Sequence, residues 1–149
     1  MNVPWQIVIA SAEMEERRAM CNILRKQGLE PIVASSIREC EEILGQQNVG
    51  LVFCARWLAD GDYRGLLIAP RHAGGKTRIV IVNRLTNWEE YLDAMRLGAF
   101  DVISAPCRHT DVEWMIIQAL REDHAQRRQI ALVQHTVSGF QDASVSRSA

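Results

Sequence analysis

Short apolar runs alternate with amphipathic segments along most of this chain. The runs at residues 51–55 and 78–83, LVFCA and RIVIVN, lack the polar alternation of a half-exposed strand, which is typical of strands buried on both faces. Helical spacing marks the segments between the runs, and the third of these, around 63–71, is weakened by Gly65 and Pro70. The pattern predicts five strands, each followed by a helix, with the strands at 5–11, 30–35, 51–55, 78–83 and 100–104.

This alternation predicts an α/β fold in which helices cover both faces of a parallel sheet. Right-handed crossovers leave few topologies, and the flavodoxin-like doubly wound five-stranded sheet with strand order 2-1-3-4-5 is the expected one. Ser11 and Ser36 are placed to cap the first and second helices. Ligands of such folds bind at the carboxyl ends of the strands. In this chain the residues at those ends are Ser11, Ala55, Asn83 and Ala105.

The C-terminal quarter predicts an extended last helix. From Thr110 to Gln134 the sequence contains no Gly or Pro, and its middle is almost entirely polar before a small apolar cluster at 130–133. We expect a domain over residues 1–123, a helical extension over 124–137 and a disordered Ser-rich tail over 138–149. The extension is interpreted either as a solvated, fraying helix or as a dimerising element.

Composition and charge narrow the function classes. The chain has 149 residues, 48% hydrophobic, with a net charge of −1, which gives no electrostatic footprint for nucleic acid. No apolar stretch has the length of a membrane span and the start lacks the pattern of a signal peptide, so no membrane contact and a cytoplasmic location are expected.

The candidate chemistry is sparse. The four cysteines (21, 40, 54, 107) and four histidines (72, 109, 124, 135) are scattered, so no metal site and no cofactor are predicted, and the cysteines are interpreted as small buried thiols. No phosphate-binding loop and no nucleophile–base pair occurs at a recognisable spacing. The sequence therefore does not indicate an enzyme.

Residues 5–120 nevertheless resemble the receiver (CheY-like) domain of two-component response regulators. IVIASAEMEERR (7–18) aligns with the first strand and helix of the family, and LVFCARWLADGDYRGLL (51–67) with its phosphoacceptor strand and loop. The most specific match is AMRLGAFDVISAPC (94–107), which resembles the family's A-L-x-x-G-A-x-D-Y-L-x-K-P-F run. The resemblance implies the fold derived above and a role in two-component signalling.

The same resemblance implies that the phosphorylation pocket is degenerate. The acidic pair that binds magnesium in receivers falls on Ser11 and Ala12, and the phosphoacceptor aspartate falls on Ala55. The switch hydroxyl falls on Asn83, and the lysine before the proline falls on Ala105. Magnesium requires hard oxygen ligands, and an alanine has no oxygen to phosphorylate. We therefore expect a phosphorylation-independent module that acts by protein–protein interaction.

Two alternatives stay open on the residues. Glu13, Asp60 and Asp62 lie close in sequence to the pocket rim and could rescue metal binding, although each also suits a helix start or a turn. The vacated pocket could instead sense a small molecule or an anion, with Arg56 and Arg84 beside it.

The face formed by the fourth helix, fifth strand and fifth helix is the expected contact surface, because receivers commonly use it. On the last helix, Trp114 lies opposite the core stripe of Val112, Met115, Ile116 and Ala119, with Ile117 about one turn along. A tryptophan off the core stripe is typical of an interface. Trp88, Tyr91 and Met95 form a stripe on the preceding helix, for which packing on the sheet is the alternative interpretation. The expected partner is another signalling protein or a second copy of the chain.

Overall fold

The computed structural model describes residues 1–69, 76–84 and 87–148, with side chains up to residue 136. The chain divides into two compact units, Met1–Ile116 and Ile117–Ala149. In chain order the elements are β1 (Gln6–Ala10), α1 (Met14–Lys26), β2 (Ile32–Ala34), α2 (Ile37–Gln46), β3 (Val49–Ala55), β4 (Trp57–Leu58), β5 (Gly61–Asp62), α3 (Tyr63–Leu67), β6 (Arg78–Asn83), α4 (Trp88–Arg96), β7 (Asp101–Ser104) and α5 (His109–Ser148).

The predicted sheet is confirmed. Five strands pair in the order β2-β1-β3-β6-β7, and all four pairings are parallel. Counted along the chain as the five main strands, this is the order 2-1-3-4-5 of the flavodoxin-like fold. Every residue of β3 and β6 is buried, as the apolar runs predicted, because these central strands are covered on both faces.

The amino end of β3 is closely packed against the start of the chain. Gly50 leaves no room for a side chain, because a Cβ atom at this position would lie 2.1 Å from Cδ2 of the buried Trp5 ring. The glycine in the strand is thus explained by the approach of an aromatic ring.

Of the two predicted helix caps, one is confirmed and one is wrong. Ser36 caps α2, as predicted, and accepts a hydrogen bond from the Glu39 N–H at 3.0 Å. Ser11 does not occupy the capping position of α1, which belongs to Glu13. The prediction was wrong because β1 ends at Ala10 and three residues separate it from the helix.

The loop after β3 contains a feature that the sequence did not predict. Residues 57–58 and 61–62 pair as a short antiparallel hairpin, in which Gly61 has a φ of +154°, accessible to glycine. The weak third helix is observed as Tyr63–Leu67, and residues 70–72 of that region, including His72, lie outside the described residues.

The last helix begins at His109 and continues to Ser148. Its backbone is therefore helical over 138–148, where the sequence predicted disorder; no proline interrupts this segment, and Gly139 is its one glycine. The compact unit also ends at Ile116, seven residues before the predicted boundary at 123. Disorder of 138–149 in solution stays a prediction. None of the described helices is long and apolar enough to cross a membrane.

Candidate functional site at the carboxyl edge of the sheet

The strand register brings the pocket positions to one edge of the sheet. Ala10 pairs with Cys54, Ala55 with Val82, and Asn83 with Ser104. Ser11, Ala55 and Asn83 therefore lie at the ends of three adjacent strands, and all three are buried. Ala105 joins them, since its N–H donates to the Asn83 carbonyl at 3.1 Å.

Ser11 is fully engaged in local structure. Its hydroxyl donates to Oε2 of Glu16 at 3.0 Å and accepts a bond from the Glu13 N–H at 3.1 Å. Its carbonyl accepts a hydrogen bond from Nη1 of Arg17. The next residue, Ala12, donates its N–H to the Trp57 carbonyl at 3.0 Å, which joins the loop after β1 to the hairpin after β3. A metal or ligand at Ser11 would therefore have to displace existing hydrogen bonds.

The residues at the strand ends offer few oxygen ligands of the kind that a divalent cation prefers. The positions at the strand ends supply methyl groups, one hydroxyl and one amide, and none supplies a carboxylate. Within the described residues no group of three or more His, Cys, Asp or Glu side chains is arranged to hold a metal ion.

Asp60 and Asp62 have structural partners. The Asp60 carboxylate accepts the N–H groups of Ile37 at 2.7 Å and Arg38 at 3.1 Å, so it caps α2 together with Ser36. Partial burial raises the pKa of Asp60, but these backbone hydrogen bonds outweigh it and hold the pKa below its ordinary value. Asp62 caps α3 by accepting the Arg64 N–H at 2.9 Å. Both carboxylates are thus used by the fold.

The two arginines considered for an anion site are directed to different places. Arg56 lies 5.5 Å from the centre of the Trp57 ring and forms an ion pair of 3.9 Å with Glu90 on α4. Arg84 is exposed and lines a cleft that Arg56 does not line. The structure therefore does not place the two guanidinium groups around one cleft.

That cleft has a volume of about 400 Å³ and lies between α1 and the residues that follow β6 and β7. Its apolar lining includes Met20, Ile23 and Pro106, and its charged lining consists of Arg84 and three glutamates, Glu13, Glu15 and Glu16. Cys107 also lines it, and burial raises the pKa of this thiol to about 12, which favours the neutral thiol at neutral pH. Three carboxylates against one guanidinium disfavour an anion.

The predicted contact surface is partly exposed and partly packed. Trp114 is 51% exposed, while Val112, Met115 and Ile116 of the same helix are buried, as the helical spacing predicted. Trp88 is exposed and stacks on Tyr91 with ring centres 5.0 Å apart. Tyr91 and Met95 are half-buried against the core, so packing on the sheet applies to these two residues and not to Trp88. Ile117 is half-buried.

Ion pairs that the sequence did not predict join α3, and the loop after β3, to α4. Arg64 donates from Nε and Nη2 to Oδ2 of Asp93, each at 3.0 Å, and Arg56 pairs with Glu90. The partners of the first pair are 29 residues apart, so no local pattern could reveal it before the fold was known.

Comparisons with known proteins agree with this architecture. No family model matches the chain. Its sequence is 23% identical over 128 residues to a curated NtrX-like response regulator of Rickettsia bellii (strain RML369-C), a match that covers 85% of this chain and 27% of the relative. The chain thus spans about a quarter of the length of that relative.

Two solved structures illustrate the structural likeness. The receiver domain of NtrX from Brucella abortus superposes with a TM-score of 0.70 at 24% identity, covering 78% of this chain and 98% of that domain. The beryllofluoride-activated NtrC4 receiver domain dimer superposes with a TM-score of 0.70 at 17% identity, covering 78% of this chain and 97% of that one. This chain therefore has the fold of the receiver (CheY-like) domain of response regulators.

Proposed function

We propose that this chain is an atypical receiver domain of two-component signal transduction that acts by protein–protein interaction without being phosphorylated. The single observation that carries the proposal is the chemistry of the carboxyl edge, where Ala55 occupies the end of β3 and Ser11 and Ala12 follow β1. The sequence similarity to an NtrX-like response regulator supports the signalling context. In this role the chain carries out no reaction of its own.

The pocket residues also lack the means to respond to a phosphate. A receiver switches because the phosphoryl group, which carries a charge of about −1.5 to −2, draws in a hydroxyl and a lysine. Here the corresponding positions are Asn83, which is buried, and Ala105, which carries no charge. Of the three acids considered for rescue of metal binding, Asp60 and Asp62 cap helices, which argues against rescue by these two. Glu13 lines the cleft beside α1.

We place the contact surface on α4, β7 and the first turns of α5, with Trp88 and Trp114 as its exposed aromatic residues. Large exposed rings contribute strongly to protein interfaces, because covering them removes a large apolar area from water. The net charge of −1 favours protein over nucleic acid as the partner, and nothing in the sequence favours a membrane. The fold is shared with a receiver domain solved as a dimer, so a second copy of the chain is one candidate partner.

A ligand sensor is the second candidate, favoured by the cleft of about 400 Å³ beside α1, a volume within the range of small-molecule sites. Its lining of Glu13, Glu15 and Glu16 against the lone Arg84 suits a cationic or neutral ligand better than an anion.

The experiment that tests the main proposal is incubation of the full chain with acetyl phosphate and magnesium, followed by intact-mass spectrometry. A receiver with a complete acidic pocket, treated in parallel, serves as the positive control. We expect the control to gain one phosphoryl group and this chain to gain none. Calorimetric titration with magnesium chloride is expected to show no binding heat above dilution. A phosphoryl adduct on this chain would refute the proposal.

A further inference from the structure

The cleft beside α1 combines buried apolar residues with exposed acidic ones. Among its lining residues, Met20 and Val82 are buried and Ile23 is half-buried, whereas Glu13 and Glu15 at the start of α1 are exposed. Its volume of about 400 Å³ corresponds to roughly ten to fifteen water-sized groups, at about 30 Å³ each. The cleft therefore has room for a small organic molecule and is larger than a single ion requires.

The charged residues give the cleft a net negative charge. Within the part of the chain that the structure describes, no basic side chain forms an ion pair with Glu13, Glu15 or Glu16. These three carboxylates are opposed by Arg84 and by the positive end of the α1 dipole, which amounts to about half an elementary charge. The net charge around the cleft is then about −1.5, which attracts cations and repels anions.

We propose that this cleft binds a small organic cation, namely an ammonium or guanidinium group on a hydrocarbon body of about ten non-hydrogen atoms. The carboxylates of Glu13 and Glu15 recognise the charged group, while the hydrocarbon body packs against apolar residues such as Met20 and Ile23. A methionine side chain adapts its shape to different apolar bodies. The ligand-sensor candidate above, on which this inference rests, thereby gains a class of ligand.

The two parts of such a ligand respond differently to salt. Glu13 and Glu15 are exposed, so their attraction for a cation is screened as the ionic strength rises. Burial of the hydrocarbon body against the apolar lining does not depend on charge. A ligand that lacks either part should bind weakly, and only the contribution of the charge should decrease with salt.

The chain offers a closely matched control for the acidic residues. Glu15 is the second residue of α1 and Glu89 is the second residue of α4, and both are exposed. Replacing either by glutamine removes the same favourable interaction with a helix start, but only Glu15 lines the cleft. Glu16 is left unchanged, because its carboxylate accepts the Ser11 hydroxyl at 3.0 Å.

The first experiment is an NMR titration of the isotope-labelled full chain with four probes. 4-Phenylbutylammonium, 4-phenylbutanol and 4-phenylbutyrate share a hydrocarbon body and differ in charge, and ethylammonium keeps the charge without the body. We expect the phenylbutylammonium cation to bind at least about tenfold more tightly than the alcohol and the carboxylate, and ethylammonium not to bind measurably. Equal affinities for the cation and the alcohol overturn the proposal, as does a cation that does not bind.

Substitutions then test which charges act on the cation. Glu15→Gln should weaken binding of 4-phenylbutylammonium at least threefold, Glu89→Gln should leave it unchanged, and Arg84→Gln should strengthen it at least twofold. Raising the salt concentration from about 50 to about 500 mM should reduce the preference for the cation over the alcohol at least threefold. Equal effects of Glu15→Gln and Glu89→Gln overturn the proposal.

Cys107 supplies a reporter of where the probe binds. It lines the cleft and is partly exposed, whereas Cys21, Cys40 and Cys54 are buried. Because burial raises the pKa of this thiol to about 12, its methylthiolation is followed over time at about pH 8.5. Saturating 4-phenylbutylammonium should slow the reaction at least threefold, and ethylammonium should leave the rate unchanged. An unchanged rate in the presence of the phenylbutyl cation overturns the assignment to this cleft.

The outcomes separate cation binding from the proposed function. A phosphoryl adduct after treatment with acetyl phosphate refutes the phosphorylation-independent role and leaves cation binding standing. Failure of all four probes to bind overturns cation binding and leaves the protein–protein role standing. Equal binding of the alcohol and the cation overturns the class of ligand and keeps the ligand-sensor candidate.

Discussion

Replacing Trp114 by alanine should weaken partner binding far more than it weakens the fold. A tryptophan side chain offers 150–250 Å² of surface, so a side chain that is 51% exposed leaves ~100 Å² for a partner to cover. At about 25 cal/mol per Å² this area corresponds to ~2.5 kcal/mol, or a factor of about 70 in affinity. The buried half of the ring contributes a similar amount to folding as an upper bound.

The domain should survive this loss, because domains of this size have a stability of about 5–15 kcal/mol. Trp57 supplies the matched control, since it is 58% exposed and lies in the β4–β5 hairpin, which is not one of the elements that form the proposed surface. Trp57→Ala removes a comparable exposed area. It also removes the cation–π contact between Arg56 and the Trp57 ring, which is worth about 0.5–1 kcal/mol at an exposed site. Circular dichroism and urea unfolding verify that both variants remain folded.

The assay compares proteins co-purified from a lysate of the expressing cell, quantified by mass spectrometry, for wild type, Trp114→Ala and Trp57→Ala. We expect recovery of the specific partner to fall by at least tenfold for Trp114→Ala and to be unchanged for Trp57→Ala. Equal recovery for wild type and Trp114→Ala would show that this face is not the contact surface. Unfolding of Trp114→Ala would instead mean that the ring belongs to the core and that the helical phase is wrong.

Three further predictions concern the fold. Gly50→Ala should destabilise the domain by roughly 3 kcal/mol in urea unfolding, because the new Cβ overlaps the buried Trp5 ring, and an unchanged midpoint would contradict the packing. Asp60→Asn should cost about 1 kcal/mol at neutral pH. Since the folded pKa of Asp60 is lowered, its contribution is present above the unfolded pKa and is lost as the pH falls through the folded pKa, so the variant should lose less stability on acidification than the wild type. Amides of residues 138–149 should exchange within the dead time of hydrogen-exchange measurements, and strong protection there would refute the predicted disorder.

The sheet could be predicted from sequence because strands that are buried on both faces are apolar at nearly every position. Residues 51–55 and 78–83 are apolar enough to identify strands covered on both faces, and the regular alternation with helices then restricts the topology. Ser36 could be identified as a cap because its hydroxyl acts three residues along the chain. The Ser36 cap is visible within four neighbouring residues, and the sheet is visible in apolar strands that alternate regularly with helices.

The remaining features depend on contacts that no local pattern encodes. The β4–β5 hairpin has two residues in each strand, too few for a period of two to be visible. The pairing of Arg64 with Asp93 joins α3 to α4 across 29 residues. Ser11 was misassigned as a cap because α1 begins at Met14, three residues further along the chain. Asp60 was interpreted as a turn residue although it caps a helix that begins 23 residues earlier. The strand ends could be assigned to one edge of the sheet from the sequence. The hydrogen bonds that the polar atoms at this edge form could not be predicted.

Several polar groups around the carboxyl edge form hydrogen bonds or ion pairs within the domain. Ser11 has hydrogen bonds to four residues, and Arg56 and Arg64 pair with acids on α4. A receiver that is switched by phosphate gains its driving force from charge added at this edge. Where no such charge is added, any shift between conformations requires a partner that binds one of them more tightly, and the shift cannot exceed that difference in affinity. Exposed ion pairs of this kind contribute about 0–1 kcal/mol each, so the ion pairs that join α4 to α3 and to the loop after β3 are weak enough for a protein partner to overcome. Control of such a domain would then come from the partner's binding energy, applied at the surface that presents Trp88 and Trp114.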